Sequence, residues 1–311
     1  MENISVLIKI YLIKMEKEIL EKYKKAGKIA AEVKKKIERE LEPGIKIFDL
    51  ANKIEDLIIK KGGRPAFPVN ISINDVAAHY TPVFNDAKEI NPGDLVKIDI
   101  GVHVDGYIGD MAFTYSSEKN PLIKCGEKIF ENVLKIIKPG VKISEIGKTI
   151  EQTVKDQGCG LIVNLTGHTL DKYVFHGNPS IPNVENNLEY AFKEGDVIAL
   201  EPFITETNGF VKESGVTEIY RYLMPRPVRL TEARKILELA KTKYHELPFA
   251  KRWLYKEISP VKVSLALRQL EMAGALEAYP VLKETEGKKI AQKEHTIIVM
   301  DKPLVTTRLE E

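Results

Sequence analysis

The sequence predicts an α+β fold made of two duplicated halves and interrupted by a helical, winged-helix-like insertion. Two repeats carry the duplication. PGIKIFDLANKIE at 43–55 recurs as PGVKISEIGKTIE at 139–151. PGDLVKIDIG at 92–101 recurs as EGDVIALEPF at 194–203, in the same order and at nearly the same spacing. The first pair reads as a Pro-Gly stop followed by a helix; the second reads as a turn, an apolar strand and a carboxylate. The insertion rests on a third observation: residues 225–286 abandon the strand pattern for helical spacing. The expected division is a main domain of 1–224 and 287–311, with 225–286 as an inserted subdomain.

The elements follow in order. MENISVLIKIYLIK at 1–14 is apolar but broken by Lys9 and Lys14. It is too short to span a bilayer and lacks a small-residue cleavage site. It reads as an extra strand or helix, or as a stretch preceding a biological start at Met15. Residues 16–41 read as a long charged helix, with Ile19, Tyr23, Ala26, Ala30, Val33 and Ile37 at helical spacing. LVKIDIGVHVDGYIGDMAFTY at 95–115 reads as a β-hairpin, because Asp105-Gly106 is a strong two-residue turn. Within the insertion, ARKILELAKTKYHELPFAKRWLYKE and SPVKVSLALRQLEMAGALEAY read as helical stretches separated by loops. Ser259-Pro260 forms an N-cap with proline at the first helical position, and Gly274 a stop. ALEAYPVLKETEGKKIAQ is expected to be a β-ribbon with a Glu-Gly turn. EHTIIVMDKPLVTTR returns to strand character and should complete the main sheet.

Composition sets limits. Hydrophobic residues make up 43% and charged residues 30% of the 311, which fits a globular protein with a substantial core. A net charge of +2 supplies no strong overall field for nucleic acid. Cys125 and Cys159 form neither a metal spacing nor a disulfide framework, and a reducing, cytoplasmic setting is expected. Lysine and arginine enrich the insertion (Lys251, Arg252, Lys256, Lys262, Arg268, with Lys288 and Lys289 just beyond). Nucleic-acid binding is the sharp reading of that enrichment; a solvated lid is preferred, because acidic residues are interspersed.

The chemistry is carried by acids in apolar surroundings. Closing the hairpin at Asp105-Gly106 sets Val104 opposite Tyr107 and Asp99 opposite Ala112. Side chains alternate, so Asp99 and Asp110 project from one face as diagonal neighbours. Carboxylates are rarely buried unless paired or bound to a metal. His168 in LTGHTL, Glu201 after VIAL and Glu294 before HTIIVM occupy comparable strand edges. Four carboxylates and one imidazole suit Mn, Fe, Co or Zn. Crowded anions raise one another's pKa, and two divalent ions would neutralise the set, so it reads as binuclear. His103 and His295 are set aside. His103 is roughly 13 Å along the strand from Asp99, and His295 points to the face opposite Glu294. Glu213 and Glu218 read as surface or hairpin charges.

These residues match a family. VKIDIGVHVDGYIGD, TGH at 166–168, ALEPF at 199–203 and AQKEHT at 291–296 resemble the methionine aminopeptidases, whose pita-bread fold is itself a duplicated α+β structure. The resemblance runs from about Met15 to the end. The insertion and AHYTP at 78–82 are similar to the type 2 branch of archaea and eukaryotes, and the short N-terminus favours the archaeal form. The resemblance implies that Asp110 and Glu294 bridge two metals, that Asp99 completes one site, and that His168 and Glu201 complete the other. It implies proton transfer by Glu201, with His79 and His176 bonding the scissile amide or the oxyanion. It implies a methionine pocket walled by Phe67, Phe203 and Tyr279, with Phe175 adjoining His176. Of these, Phe203 is placed most firmly, two residues beyond Glu201 on an extended segment.

The activity implied is removal of initiator methionine from nascent chains with a small second residue, by a monomer with no membrane association. One alternative is a proline-specific aminopeptidase or dipeptidase of the same fold, whose histidine-rich signature AQKEHT lacks. Another is a ribosome- or RNA-binding relative that has lost its ligands; here all five ligand positions are filled. The basic insertion leaves a secondary ribosome contact open.

Overall fold

The long charged helix is α1 (Glu2–Glu38), and α2 (Ile47–Lys60) follows the first Pro-Gly stop. The computed structural model describes residues 16–309 in full and the helical backbone of 2–15. The side chains of the apolar stretch 1–14 lie outside the described residues. Tyr23, Ala26, Ala30, Val33 and Ile37 form the buried stripe of α1, as the helical spacing requires. Short strands β1 (Arg64–Pro65), β2 (Asn70–Ile73) and β3 (Val76–Ala78) lead to the hairpin β4 (Val96–Val104) and β5 (Tyr107–Tyr115). The hairpin register is the expected one: Val104 faces Tyr107 and Asp99 faces Ala112. β1 and β2 line the other edge of β4. Ala26, Val33, Ile54 and Ile58 of the helices pack with Ile98, Ile100, Val102 and Phe113 of this sheet.

The second half repeats the plan. Asn120 caps α3 (Pro121–Ile136) by accepting from Leu122 N at 2.9 Å, and α4 (Ile143–Gln157) follows the second Pro-Gly. After β6 (Gly160–Leu161) come β7 (Thr166–Asp171), β8 (Val174–Pro182), β9 (Val197–Leu200) and β10 (Phe203–Thr205). The duplication extends to single bonds. Gly44 N donates to Ile90 O, and Gly140 N to Phe192 O, both at 2.8 Å. Asp94 accepts from Asn91 N, and Asp196 from Lys193 N, each at 2.8 Å, so the same turn launches β4 and β9. Ile129, Val133, Ile146 and Ile150 cover this sheet as α1 and α2 cover the first.

The remaining chain is β11 (Val211–Tyr222), α5 (Thr231–Thr242), β12 (Phe249–Ala250), a 3-10 turn (Lys251–Lys256), α6 (Pro260–Met272), β13 (Leu276–Glu284), β14 (Ala291–Gln292), β15 (His295–Ile298) and β16 (Leu304–Val305). Two expectations need correction. The stretch 233–257 is not helical throughout: α5 ends at Thr242, His245 and Glu246 take left-handed backbone, and Pro248 precedes β12. The ribbon expected around Glu286-Gly287 is not formed either. β13 pairs with β11 instead, and β14 crosses to β10. Long-range pairing with β11 overrides the local turn signal. Ile236, Phe249, Leu254 and Leu267 pack with Tyr220 and Tyr222 of β11 in a core of their own. Among the described residues no helix is long and apolar enough to cross a membrane.

A seam joins the halves where β5 meets the chain leading into β15. Glu294 N donates to Ala112 O at 2.9 Å, and Gln292 N to Thr114 Oγ1 at 2.8 Å. Thr296 Oγ1 accepts from Asp110 N at 2.7 Å and donates to Asp110 O at 2.9 Å. Lys97 is buried, and its Nζ donates to the carbonyls of Asn74 and Ile290, each at 2.9 Å. Replacing Thr296 by Val strips both partners from the Asp110 backbone at constant volume. Thr296→Val is expected to cost about 1–3 kcal/mol in equilibrium denaturant unfolding; an unchanged midpoint would show that the seam does not depend on this hydroxyl.

Candidate metal centre

Each acidic side chain reaches the site for a local reason. Asp99 and Asp110 come from the shared face of the hairpin, and Glu294 enters across the seam. His168 stands on β7 opposite Ala199 of β9. Its neighbour Gly167 leaves room for Ala199 O, which would lie 2.4 Å from any Cβ there. Glu201 follows the last residue of β9.

The five groups converge. His168 Nε2 lies 3.4 Å from Glu201 Oε1 and 3.8 Å from Asp110 Oδ2. Donor atoms of Asp110, His168 and Glu294 fall within 4.8 Å of one another. Gln292 Nε2 donates to Glu294 Oε2 at 3.3 Å. Asp110, His168 and Glu294 are buried, Asp99 and Glu201 partly so. Burial pushes the Asp99 carboxyl up to about 7. Burial, then neighbouring carboxylates, push Asp110, Glu201 and Glu294 well above the usual range.

The donor set fits a hard divalent cation. Asp99 Oδ1 and Asp110 Oδ1 are buried without any hydrogen-bond partner, an arrangement expensive for a carboxylate unless a cation meets it. Burial lowers the His168 pKa to about 4, so its ring is neutral. His168 Nδ1 lies 3.3 Å from Thr169 O, which assigns the proton to Nδ1 and turns the Nε2 lone pair on the acids. A lone pair facing carboxylates calls for a shared proton or a metal.

A cavity opens over this cluster, lined by Phe67, Asn70, Ala78, His79, Phe175, His176, Ile219, Pro248 and Tyr279 together with the five acid and imidazole groups. The Phe67 and Phe175 rings lie 4.5 Å apart, tilted 41° to one another. Gly101, opposite Asp110, makes this possible: a Cβ there would lie 2.1 Å from the Phe67 ring. His79 has left-handed backbone (φ 62) and lies edge-on to Tyr279 at 5.3 Å. Its Nδ1 is 3.1 Å from Pro280 O, and burial lowers its pKa. His176 rims the opening, its ring 4.7 Å from His168.

One residue assigned to the pocket lies elsewhere. Phe203 is buried among Ala77, Ile162, Val211 and Ile290, outside the cavity. The strand alternation that placed it beside Glu201 does not survive Pro202, which separates β9 from β10. Sequence reasoning missed Asn70, Ala78, Ile219 and Pro248. Only Ile219 and Pro248 carried a signal, an apolar residue in a strand and a proline after a helix, and neither points to a cavity. The set-aside histidines are structural. His103 Nδ1 accepts from Gly106 N at 3.2 Å, and His295 Nδ1 meets Thr307 Oγ1 at 2.9 Å.

The profile of metallopeptidase family M24 matches residues 21–230. A methionine aminopeptidase from Thermococcus onnurineus is 47% identical over 278 residues, covering 88% of this chain and 94% of its own. Among solved structures, a thermophilic Arx1 superposes with a TM-score of 0.82 at 19% identity, over 94% of this chain and 92% of that one. A methionine aminopeptidase from Thermotoga maritima superposes with a TM-score of 0.69 at 20% identity, over 94% and 97%. At those identities the superpositions speak for the pita-bread fold alone.

The titration of the cluster gives a test. Burial holds the proton on Asp99 up to about pH 7 in the folded chain, and Asp110, Glu201 and Glu294 are shifted upward in the same direction. These carboxyls therefore contribute stability to the metal-free chain that is lost as pH rises through their raised folded values, about 7 for Asp99. Lys97, lowered by burial to about 7, acts in the opposite sense above that pH. Cation binding must displace those protons, so the gain in melting temperature that saturating Mn2+ gives chelator-treated protein should grow as pH rises through about 7. A gain that shrinks as pH rises would contradict the assignment.

Proposed function

Because the chain belongs to metallopeptidase family M24, we propose that the acidic cluster is the centre of a metal-dependent aminopeptidase that removes N-terminal methionine. The observation that carries this reading is the juxtaposition of the buried four-carboxylate, one-imidazole cluster with an aromatic-walled cavity. Asp99, Asp110, His168, Glu201 and Glu294 would hold two divalent ions (Co, Mn, Fe or Zn), with Asp110 and Glu294 shared between them. Bound there, the ions would supply Lewis acidity, lowering the pKa of water and polarising the scissile carbonyl.

The chain's own groups do the rest. The acidic end of the cavity receives the free α-amine, which restricts the reaction to chain ends. Phe67, Phe175, Ile219, Pro248 and Tyr279 surround the methionine side chain. Glu201 takes a proton from the attacking water and returns it to the departing amine. His79 is neutral, and its Nδ1–H is committed to Pro280 O. Its Nε2 therefore accepts, which matches the N–H of the scissile amide rather than an oxyanion. His176, at the mouth, is left to face the carbonyl oxygen. The substrate is the N-terminus of newly made chains with a small second residue. The segment 225–286, which supplies Pro248 and Tyr279, supports reading the chain as one of the type 2 branch.

Two measurements test this. Peptides beginning Met-Gly or Met-Ala should lose methionine, while Met-Lys and Met-Glu peptides should not; efficient cleavage before proline without methionine preference would overturn the reading. Asp110→Asn should abolish both turnover and the binding of a second Mn2+ in calorimetry, whereas His79→Ala should lower kcat by about 10²–10⁴-fold with Mn2+ content unchanged. Loss of metal in His79→Ala would make it a ligand.

A further inference from the structure

The cavity is bounded on one side by two short segments of the first half. Residues 67–70 supply Phe67 and Asn70, and residues 78–79 supply Ala78 and His79. Neither is held by a regular ladder along its length. β2 begins only at Asn70, β3 ends at Ala78, and His79 sits in left-handed backbone. What fixes them is a buried polar group contributed from far along the chain.

Arg252, in the 3-10 turn between β12 and α6, is 6% exposed, and Glu55 of α2 is 8% exposed. Arg252 Nη2 donates to Glu55 Oε1. Arg252 Nη1 donates to Thr81 Oγ1 at 2.5 Å. Thr81 Oγ1 in turn donates to Val69 O at 2.8 Å, and Val69 N donates to Glu55 Oε1 at 3.3 Å. Trp253 Nε1 fills the other oxygen, Glu55 Oε2, at 2.9 Å. The ring is closed: both backbone groups of Val69 are captured, one by Glu55 and one by Thr81, and Arg252 ties the captors together. Val69 lies two residues after Phe67, and Thr81 two residues after His79. Ile71 N to Tyr80 O at 2.7 Å is the direct bond between the two segments.

Such a group is costly as mere glue. Burying an ion pair forfeits hydration that its Coulomb attraction only partly returns, and apolar residues of similar volume often serve stability as well. Its directional bonds do something apolar packing cannot: they fix two loops to one geometry. The same segment grips His79 a second time through Pro280 O. We propose that Arg252 and Glu55 are positioning residues for the reaction. They form a buried latch through which the 225–286 segment sets the Phe67 wall and the His79 imidazole. The inference rests on the reading of His79 given above.

The test removes the latch without leaving a buried charge. In the double variant Glu55→Gln, Arg252→Met, the amide oxygen at position 55 can still accept from Val69 N, the Trp253 Nε1 bond to the other oxygen is given up, and the bridge to Thr81 is lost. Mn2+-loaded protein is followed by thermal unfolding, Mn2+ calorimetry and steady-state cleavage of a Met-Ala peptide, alone and combined with His79→Ala. The expected result is a cooperatively folded protein with wild-type Mn2+ affinity and kcat/KM lowered about 10- to 100-fold, the scale of a small misplacement of reacting groups. Combined with His79→Ala, the loss should be far from additive. A folded double variant with wild-type kcat/KM, or one whose loss adds in full to that of His79→Ala, overturns the proposal. If the double variant does not fold, Thr81→Val carries the same expectations, since it cuts both Thr81 bonds and leaves the ion pair whole. His79→Ala with undiminished turnover overturns the reading of His79 and the latch with it; a slow His79→Ala beside a normal latch variant overturns the latch alone.

Discussion

Everything in this protein is arranged around one unfavourable act, the burial of four carboxylates beside a neutral imidazole. Left to themselves, Asp110 and Glu294 would take up protons, because burial and mutual repulsion both disfavour the charged form. The buried, unpartnered oxygens on Asp99 and Asp110 mark where that cost is concentrated. A cation converts the same crowding into affinity, so the instability of the empty cluster and its fitness for metal are one property. The fold spends rigidity to keep the acids from relaxing apart. The hairpin fixes two of them, β7 and the end of β9 fix two more groups, and the seam brings in the last.

The seam explains why a duplicated architecture suits such a centre. Each half closes its own apolar core under its own helix pair, and neither core contains the site. The site lies where the halves meet, and the bonds that join them also position its acids. Thr296 holds the backbone of Asp110, Ala112 pairs with Glu294, and the Lys97 ammonium spans Asn74 and Ile290 two residues before Asp99. The segment 225–286 completes the chamber. Pro248 and Tyr279 face the cavity, Pro280 orients His79, and Arg252 reaches through to Thr81. Its contribution to the pocket walls accounts for a polar chain element packed so closely against the first half.

What could be read along the chain differs from residue to residue. The hairpin was legible to the register, because Asp105-Gly106 permits one tight turn and alternation does the rest. The equivalence of the two halves was legible because turn chemistry is local: the Asp94 and Asp196 turns are the same object. Phe203 was misplaced because alternation was carried across Pro202, where the extended chain breaks. The ribbon around Glu286-Gly287 was misplaced because β13 found a longer partner in β11. Asn70, Ala78 and the Glu55–Arg252 pair carried no signal at all, since their partners lie far off in sequence.

The amino-acid sequence by itself determined the acid pair, its shared face, the duplication and the family resemblance. The acid pair and its shared face follow from periodicity, turn stereochemistry and the rarity of buried aspartate, the duplication from two recurring segments, and the resemblance from matching motifs. Only the tertiary structure decided which distant groups meet: Glu294 on the hairpin, Pro280 on His79, Arg252 on Glu55 and Thr81. The physical reason is that side-chain direction is a local property of the backbone. Convergence of buried charges is a property of the whole packed chain, set by which surfaces exclude water together.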